Sequence, residues 1–190
     1  MFEEPVAMRR IRASTYREVP WKNGGGMTRE IAYAQESPPL WRLSLATIER
    51  DGPFSDFTGY DRTIVPISGD GIELTCNDTP PMRIAPRQPF SFAGEDAVFC
   101  RLLGGTTNDV NVMTRRDRYR HRVEVIATMH EPLRRSAGVA TLAYILGGPC
   151  SGDTFIATGG AALMLDSTQA SAVLCVRIDV CERTERNYRR

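Results

Sequence analysis

The sequence predicts an all-β protein, built from short strands as a sandwich or a barrel. Short apolar or alternating runs recur along the chain, and Gly, Pro, Asn or Asp bounds each of them. No long amphipathic helix interrupts these runs. Regularly spaced short strands with tight turns are typical of sandwiches and barrels.

The predicted strands follow one another in two groups. The first group is Leu40–Ile48, Arg62–Ser68, Gly71–Cys76, Pro89–Gly94 and Ala97–Leu103. The second group is Val123–Met129, Thr141–Gly148, Ala161–Ser167 and Ala172–Val180. The turn signals SGDG and CNDTPP separate strands of the first group, because glycine, aspartate and a proline pair end regular pairing.

A weak internal repeat relates the two groups. AVFCRLL at 97–103 resembles AVLCVRI at 172–178, and TIVPISGDG at 63–71 resembles TLAYILGGP at 141–149. The offsets are similar, which predicts two jelly-roll halves packed together. We expect one compact unit over residues 10–180, with approximate halves 10–117 and 118–180, and frayed ends at 1–8 and 182–190.

The composition favours a protein of the cytoplasm. The 190 residues are 42% hydrophobic and carry a net charge of only +1, which gives no electrostatic basis for binding nucleic acid or an anionic membrane. The five cysteines are scattered without a C-x-x-C pair, as expected for reduced thiols. No secretory apolar segment or membrane-span candidate stands in the sequence.

Three strings together resemble the HutD/Ves family: PWKNGGGMTREI, WRLSLATIERDGPFSDFTGYDRTIVPISGDGIEL and GGTTNDVNVMTRRDR. The resemblance extends over about residues 10–180. It implies a cupin-type, RmlC-like jelly roll built as a bicupin of two similar halves. It also implies a bacterial cytoplasmic protein linked to histidine utilisation, with a regulatory or ligand-sensing role towards a formylated or acidic pathway intermediate.

The sequence predicts neither a metal nor a cofactor. Catalytic cupins hold a metal through two or three histidines and a carboxylate, whereas this chain has only His121 and His130. The stretch at 51–71, where the resemblance would place those ligands, contains no histidine. The alternative, a site of the two histidines with Glu124 or Glu131, stays open. The missing ligands argue against a metal-dependent oxygenase or isomerase.

The glycine run Gly24–Gly26 follows Trp21, Lys22 and Asn23. It is not a phosphate-binding P-loop, because no Gly-Lys-Ser follows it. Adjacent glycines can turn successive N–H groups towards an anion, with Lys22 adding charge. The alternative is a glycine-rich turn over which Trp21 packs as core.

The stretch 108–117 predicts a pocket wall. In a strand, Asp109, Asn111, Met113 and Arg115 share one face, and polar groups alternating with a methionine suit a cavity better than a dry core. An arginine here, Arg115 or Arg116, would grip a carboxylate through its planar fork. An internal ion-pair network is the alternative.

Two further stretches leave their orientation open. Asp61 and Arg62 are adjacent in a predicted strand, so only one of them is expected to point inward. Arg42 and Ser44 share a face opposite Trp41, and that face is either solvated or a lining. The stretch 49–57 is interpreted as a structural turn with two aromatic anchors.

The functional hypothesis is a metal-free protein that binds a small, anionic metabolite. The predicted ligand-binding residues are Trp21, Lys22, Asn23, Gly24, Gly25, Asp61, Asn111, Met113 and Arg115. The alternative is an isomerase, lyase or hydrolase with Asp61, Asp109 or Glu30 as the base beside Lys22. A carboxylate with a strongly raised pKa in the same pocket as Asn23 and Arg115 would favour it. A homodimer is left open.

Overall fold

The computed structural model describes residues 7–21, 24–135 and 138–181, and almost all of its regular structure is strand. The strands are β1 Ala7–Ile11, β2 Arg17–Pro20, β3 Gly26–Tyr33, β4 Trp41–Ile48, β5 Gly52–Pro53, β6 Tyr60–Pro66, β7 Ile72–Cys76, β8 Met82–Ile84, β9 Phe90–Ala93, β10 Val98–Leu102, β11 Thr107–Arg115, β12 Tyr119–Ile126, β13 Leu133–Arg135, β14 Ala140–Gly147, β15 Thr154–Thr158, β16 Leu163–Leu165 and β17 Ala172–Val180. A short 3-10 helix, Ala13–Thr15, is the one helical element of the described chain. The all-β prediction is confirmed.

The strands form two pairs of sheets, one in each part of the chain. In the first part, a six-stranded sheet in the order β2-β3-β4-β11-β6-β9 accompanies a four-stranded sheet, β5-β10-β7-β8. In the second part, a five-stranded sheet, β1-β15-β14-β17-β12, accompanies the pair β13-β16. All of these pairings are antiparallel, so tight turns suffice to connect most neighbours.

The N-terminal strand crosses to the second part of the chain. β1 pairs with β15 from Ala7 to Ile11, so the sheet of the second half contains a strand from the start of the sequence. Ala7 and Met8, which were expected in a frayed end, therefore belong to a strand. The remaining predicted end residues, 1–6 and 182–190, lie outside the described residues.

Three apolar clusters make up the core. The largest lies between the six-stranded and five-stranded sheets, where Leu43 and Val110 of the first part meet Leu142 and Leu174 of the second, all fully buried. A second cluster fills the inside of the second part with residues such as Ile145. A third packs inside the first part, between its two sheets. Burial of this apolar area is the main force that holds the sheets together.

Only one of the two sequence echoes falls on similar strands. TIVPISGDG and TLAYILGGP contain β6 and β14, which both lie in large sheets. AVFCRLL contains β10, which lies in the small sheet of the first part, whereas AVLCVRI lies in β17 at the large sheet of the second. Buried strands share Val, Leu and Cys whatever their place in a sheet, so composition produced the second echo.

All five cysteines are free thiols, and Cys100, Cys150 and Cys175 are buried. Burial raises the pKa of Cys100 and of Cys175 to about 12, so these thiols stay protonated and unreactive at neutral pH. Within the described ranges, no helix has the length and apolar character needed to cross a membrane.

His121 connects the two parts of the chain. It lies on β12, and its ring nitrogens hydrogen-bond to two hydroxyls of the six-stranded sheet: Nε2 to Thr63 at 2.8 Å and Nδ1 to Thr114 at 2.8 Å. Both threonines are buried. His121 therefore acts as a neutral ring that satisfies polar groups where the two large sheets meet.

Candidate functional site

A cavity of about 620 Å³ lies inside the first part of the chain. Its floor is the inner face of the six-stranded sheet, and the segment 52–57 forms its roof. The lining residues are Val19, Trp21, Thr28, Glu30, Arg42, Ala46, Pro53, Phe54, Ser55, Asp56, Phe57, Arg62, Asp109 and Asn111. This volume suits a small metabolite.

The floor follows from the two-residue alternation of the strands. On β4, Trp41, Leu43 and Leu45 face the large core, so Arg42 and Ser44 point to the cavity side. On β11, Val110 and Val112 face the large core, so Asp109 and Asn111 point to the cavity side. The register places Asn111 opposite Ser44, and Met113 between Arg42 and Arg62 on the neighbouring strands.

Arg62 is the most enclosed cation of the site. It is 5% exposed, and its guanidinium lies 4.8 to 5.5 Å from the ring centroids of Phe54, Phe57 and Phe92. Its Nη1 donates to the Ser55 carbonyl at 3.2 Å. The aromatic rings attract the cation through their negative faces, so they hold the guanidinium in place without neutralising it.

Arg42 approaches the same aromatic roof from β4. Its guanidinium lies 5.3 Å from the centroid of the Phe57 ring, and its Nη2 donates to Met113 Sδ at 3.2 Å. Among the described residues, no carboxylate lies within ion-pair distance of Arg42 or Arg62. Burial lowers the pKa of Arg42 and brings that of Arg62 to about 10, so both stay charged at neutral pH.

Most of the buried side-chain polar atoms that lack a partner belong to residues that line this cavity. Over the described ranges the unpaired atoms are Arg42 Nε, Ser44 Oγ, Arg62 Nε, Asp109 Oδ1 and Asn111 Oδ1. Folded proteins leave few such atoms unpaired, because each costs about 1–3 kcal/mol of desolvation. Four of the five belong to cavity-lining residues, and Ser44 lies on the same face of β4, opposite Asn111.

Asp109 is the acid at the floor of the cavity. It is 2% exposed, and burial raises its pKa to about 7 in spite of the opposing attraction of Arg62. Near neutral pH both protonation states of this carboxyl are populated. Glu30 differs, because its carboxylate accepts from Arg17 Nε at 2.8 Å at the edge of the sheet.

The structure brings together some of the predicted site residues. Trp21 and Asn111 line the cavity, and Met113 lies beneath it in contact with Arg42. Asp61 instead accepts from Arg116 Nε at 2.6 Å, and Arg115 pairs with Asp117, so both lie outside the cavity lining. Lys22 and Asn23 lie outside the described residues.

The glycine run forms a tight turn between β2 and β3. Gly24 has a φ of +65°, and its N–H donates to the Trp21 carbonyl at 3.0 Å. A side chain at Gly26 would meet the Thr47 carbonyl oxygen at 2.1 Å. Gly25 lines only a smaller neighbouring pocket of about 220 Å³. The run therefore positions Trp21, whose Nε1 donates to Thr28 Oγ1 at 2.8 Å.

Arg42, Arg62 and the aromatic roof were not among the predicted site residues. The alternation of β4 offered a signal, since it put Arg42 and Ser44 opposite three core residues. The same alternation allowed only one of the adjacent residues Asp61 and Arg62 to point inward. In the structure, Arg62 is buried and lines the cavity. Phe54 and Phe57, interpreted as structural anchors, also line the site.

Histidine contributes to no metal cluster in the described chain. No group of three or more His, Cys, Asp or Glu side chains is placed there to hold a metal ion. His121 uses both ring nitrogens on threonines, and His130 is exposed. Burial lowers the pKa of His121 to about 4, well below the value of 6.5 expected in an unfolded chain.

This pKa difference predicts a pH-dependent contribution to stability. As pH falls, the unfolded chain binds a proton at His121 before the folded protein does, so the contribution is complete above pH 6.5 and is lost towards pH 4. Relative to His121→Gln, the wild type should lose about 1.4 kcal/mol of unfolding free energy per pH unit in this window. Urea unfolding at several pH values measures the difference.

The exposed histidine provides the control for this experiment. His130→Gln is the matched variant, because His130 is exposed and does not hold the two buried hydroxyls that His121 holds. Asp109 has the opposite dependence, since its raised pKa makes the folded protein take up a proton between about pH 4 and 7. Because Asp109 is present in the wild type and in both variants, its contribution cancels when their unfolding free energies are subtracted. A pH-independent difference for His121→Gln would contradict the prediction.

Comparison with known proteins agrees with the family resemblance of the sequence. Residues 13–178 match the family model described as HutD. A stretch of 118 residues is 43% identical to "Uncharacterized 21.2 kDa protein in hutC 3'region" of Pseudomonas putida, covering 60% of this chain and 62% of that protein. Protein Ves of Citrobacter koseri is 39% identical over 111 residues, covering 55% of this chain and 56% of its own length. The matches thus span less than two thirds of these relatives.

A solved structure extends the similarity to nearly the whole chain. HutD from Pseudomonas fluorescens SBW25, solved in a formate condition, superposes with a TM-score of 0.82 at 29% identity, covering 92% of this chain and 100% of that chain. The cupin-like, all-β fold implied by the resemblance is therefore confirmed. With a family match that extends over most of its length, the chain belongs to the HutD family.

Proposed function

We propose that the protein binds a small metabolite carrying a carboxylate in the cavity of its first half. One observation carries this proposal: four of the five unpaired buried polar atoms belong to residues that line the cavity, and two of those four belong to arginines without a carboxylate partner in the described chain. A buried guanidinium without a counter-charge is costly, so a bound anion would stabilise it.

Three of the five unpaired atoms are donors that a carboxylate could accept from, and the other two are the acceptor oxygens of Asp109 and Asn111. Arg42 Nε and Arg62 Nε are donors, and the Ser44 hydroxyl is a donor as well. Charge-assisted bonds from guanidinium to carboxylate are among the strongest that proteins make. The rings of Phe54, Phe57 and Trp21 form the other walls, which suits the apolar part of a small organic acid.

The role that we propose is regulatory or accessory, in histidine utilisation. The name of the P. putida relative places that protein in the hutC 3′ region, and the P. fluorescens relative was solved in a formate condition. Arg42 and Arg62 in the wall favour recognition of an anion, and Glu30, Asp56 and Asp109 line the same cavity.

The second candidate is an enzyme that uses Asp109 as a general base. The raised pKa of this buried carboxyl favours it, because a base works best when its pKa lies near the working pH. Of the other two predicted bases, Asp61 is engaged by Arg116 outside the cavity lining, and Glu30 accepts from Arg17. The two candidates differ in the fate of the bound acid: a binding protein releases it unchanged, whereas an enzyme converts it into a product.

One experiment tests both candidates. We expect formate, glutarate or benzoate to raise the melting temperature, while benzylamine, a cation of similar size to benzoate, should not, since a ligand that binds only the folded state stabilises it. NMR spectra of each acid after incubation should show no new resonances. New resonances would favour the enzyme, and equal shifts with benzylamine would overturn anion recognition.

A further inference from the structure

Asp109 has surroundings that do not suit a charged carboxylate. Its cross-strand neighbours are Ala46 on β4 and Pro66 on β6, neither of which offers a side-chain donor. Within the described chain its Oδ1 has no hydrogen-bond partner, and no cation lies within ion-pair distance of the carboxyl. An ionised carboxylate needs such donors when it is buried.

The charged groups around Asp109 come from several elements. The cation on β6 favours its ionised form, and a buried thiol on β10 interacts with it electrostatically. One further cation, on β4, and two carboxylates, on β3 and in the roof, line the same cavity. These groups are Arg62, Arg42, Glu30, Asp56 and Cys100. Desolvation outweighs the attraction of Arg62, because it is the larger influence on the pKa of Asp109, which it raises to about 7.

A bound carboxylate changes this balance further. An anion held by Arg42 and Arg62 neutralises the Arg62 charge that favours ionised Asp109, and it adds a second carboxylate to the same small space. Two carboxylates in close contact cannot both ionise easily, so they share one proton. An O–H···O⁻ bond between them is short and strong.

We propose that Asp109 carries a proton when the cavity is occupied and donates it in a hydrogen bond to the bound carboxylate. The site thus takes a small organic acid as its anion together with one proton held on Asp109. This inference rests on the proposed function and adds the specificity-determining role of Asp109. It also explains why a buried acid lies on the same cavity floor as two arginines, which would attract an anion.

The test is titration calorimetry of the wild-type protein with benzoate and glutarate from pH 6 to pH 9. Both ligands are fully ionised over most of this range, so their own charge stays nearly constant. We expect affinity to be nearly constant below the Asp109 pKa of about 7 and to fall about tenfold per pH unit above it. Measured heats at pH 8 should depend on the buffer, because one proton is taken up.

Two variants test whether Asp109, rather than another acid of the cavity, causes the pH dependence of affinity. Asp109→Asn keeps a neutral donor, so its affinity should not vary with pH, and it should exceed that of the wild type at pH 9. Asp56→Asn, at the roof of the same cavity, should keep the pH dependence. Binding by the wild type that is constant from pH 6 to 9 would overturn this inference alone. An absence of binding at every pH would overturn the proposed function as well.

Discussion

Replacing Arg62 by methionine is expected to weaken carboxylate binding by about 100-fold or more and to raise the melting temperature. Removing one partner of a buried, hydrogen-bonded charge pair costs about 2–5 kcal/mol of binding free energy, and each 1.4 kcal/mol is a factor of about ten. Thermal melts and benzoate titrations of Arg62→Met and the wild type measure the two effects.

The gain in stability expected for Arg62→Met has its own physical reason. Arg62 is 5% exposed and has no carboxylate partner in the described chain, so the folded protein bears the cost of its desolvation. Methionine has a similar length and packs well against the rings of Phe54, Phe57 and Phe92. Apolar replacement of buried charge stabilises proteins by about 1–4 kcal/mol, although lost cation–π contacts reduce the gain.

An exposed arginine controls for the loss of charge alone. The side chain of Arg83 is 76% exposed and lies 3.6 Å from Glu73, so Arg83→Met should change neither affinity nor stability appreciably. If Arg62→Met kept wild-type affinity and melted lower, Arg62 would be a scaffold residue and the cavity would need another anchor. A gain in stability with a loss of binding is the signature of a site.

Shortening a side chain between the two large sheets should destabilise the whole described fold. Leu43 on β4 and Leu142 on β14 are fully buried in the cluster that joins the two parts of the chain. Each change to alanine, Leu43→Ala or Leu142→Ala, should cost about 2–5 kcal/mol through lost burial and the cavity left behind. For a chain of this size that corresponds to roughly 5–20 °C in melting temperature.

The two variants also test whether residues 10–180 fold as one unit. Because the cluster draws on both parts of the chain, either variant should shift one shared transition, measured by calorimetry and by circular dichroism. Met164→Ala is the control, since Met164 is 56% exposed and should change stability by about 0.5 kcal/mol at most. Two transitions, of which each variant moved only one, would contradict a single unit.

Most of the strands were predictable because their signals are local. Ala172–Val180 was predicted with the bounds that β17 has, and Leu40–Ile48 differs from β4 by one residue. Short strands such as Met82–Ile84 and Leu133–Arg135 escaped prediction, since three residues carry too little pattern. β1 escaped for another reason: its partner β15 lies more than a hundred residues away.

The site residues also divide into those that a local sequence pattern predicts and those that depend on the tertiary structure. Asp109, Asn111 and Met113 were predicted on one strand face because side chains alternate with a period of two, and that face does meet the cavity. Arg115, two residues further on, has the same alternation but lies at the end of β11, where it pairs with Asp117. Alternation specifies the side of a sheet, and it does not specify how far a cavity extends.

The sequence by itself determined the all-β class, the main strands and which side chains share a face, because these depend on neighbours along the chain. Only the tertiary structure decided which face became a cavity. That choice depends on the roof segment 52–57 packing over β4, β6 and β11, a contact between distant parts of the sequence. It made buried Arg62 and half-buried Arg42 the cations of the site and left Asp61 and Arg115 in ion pairs outside the lining.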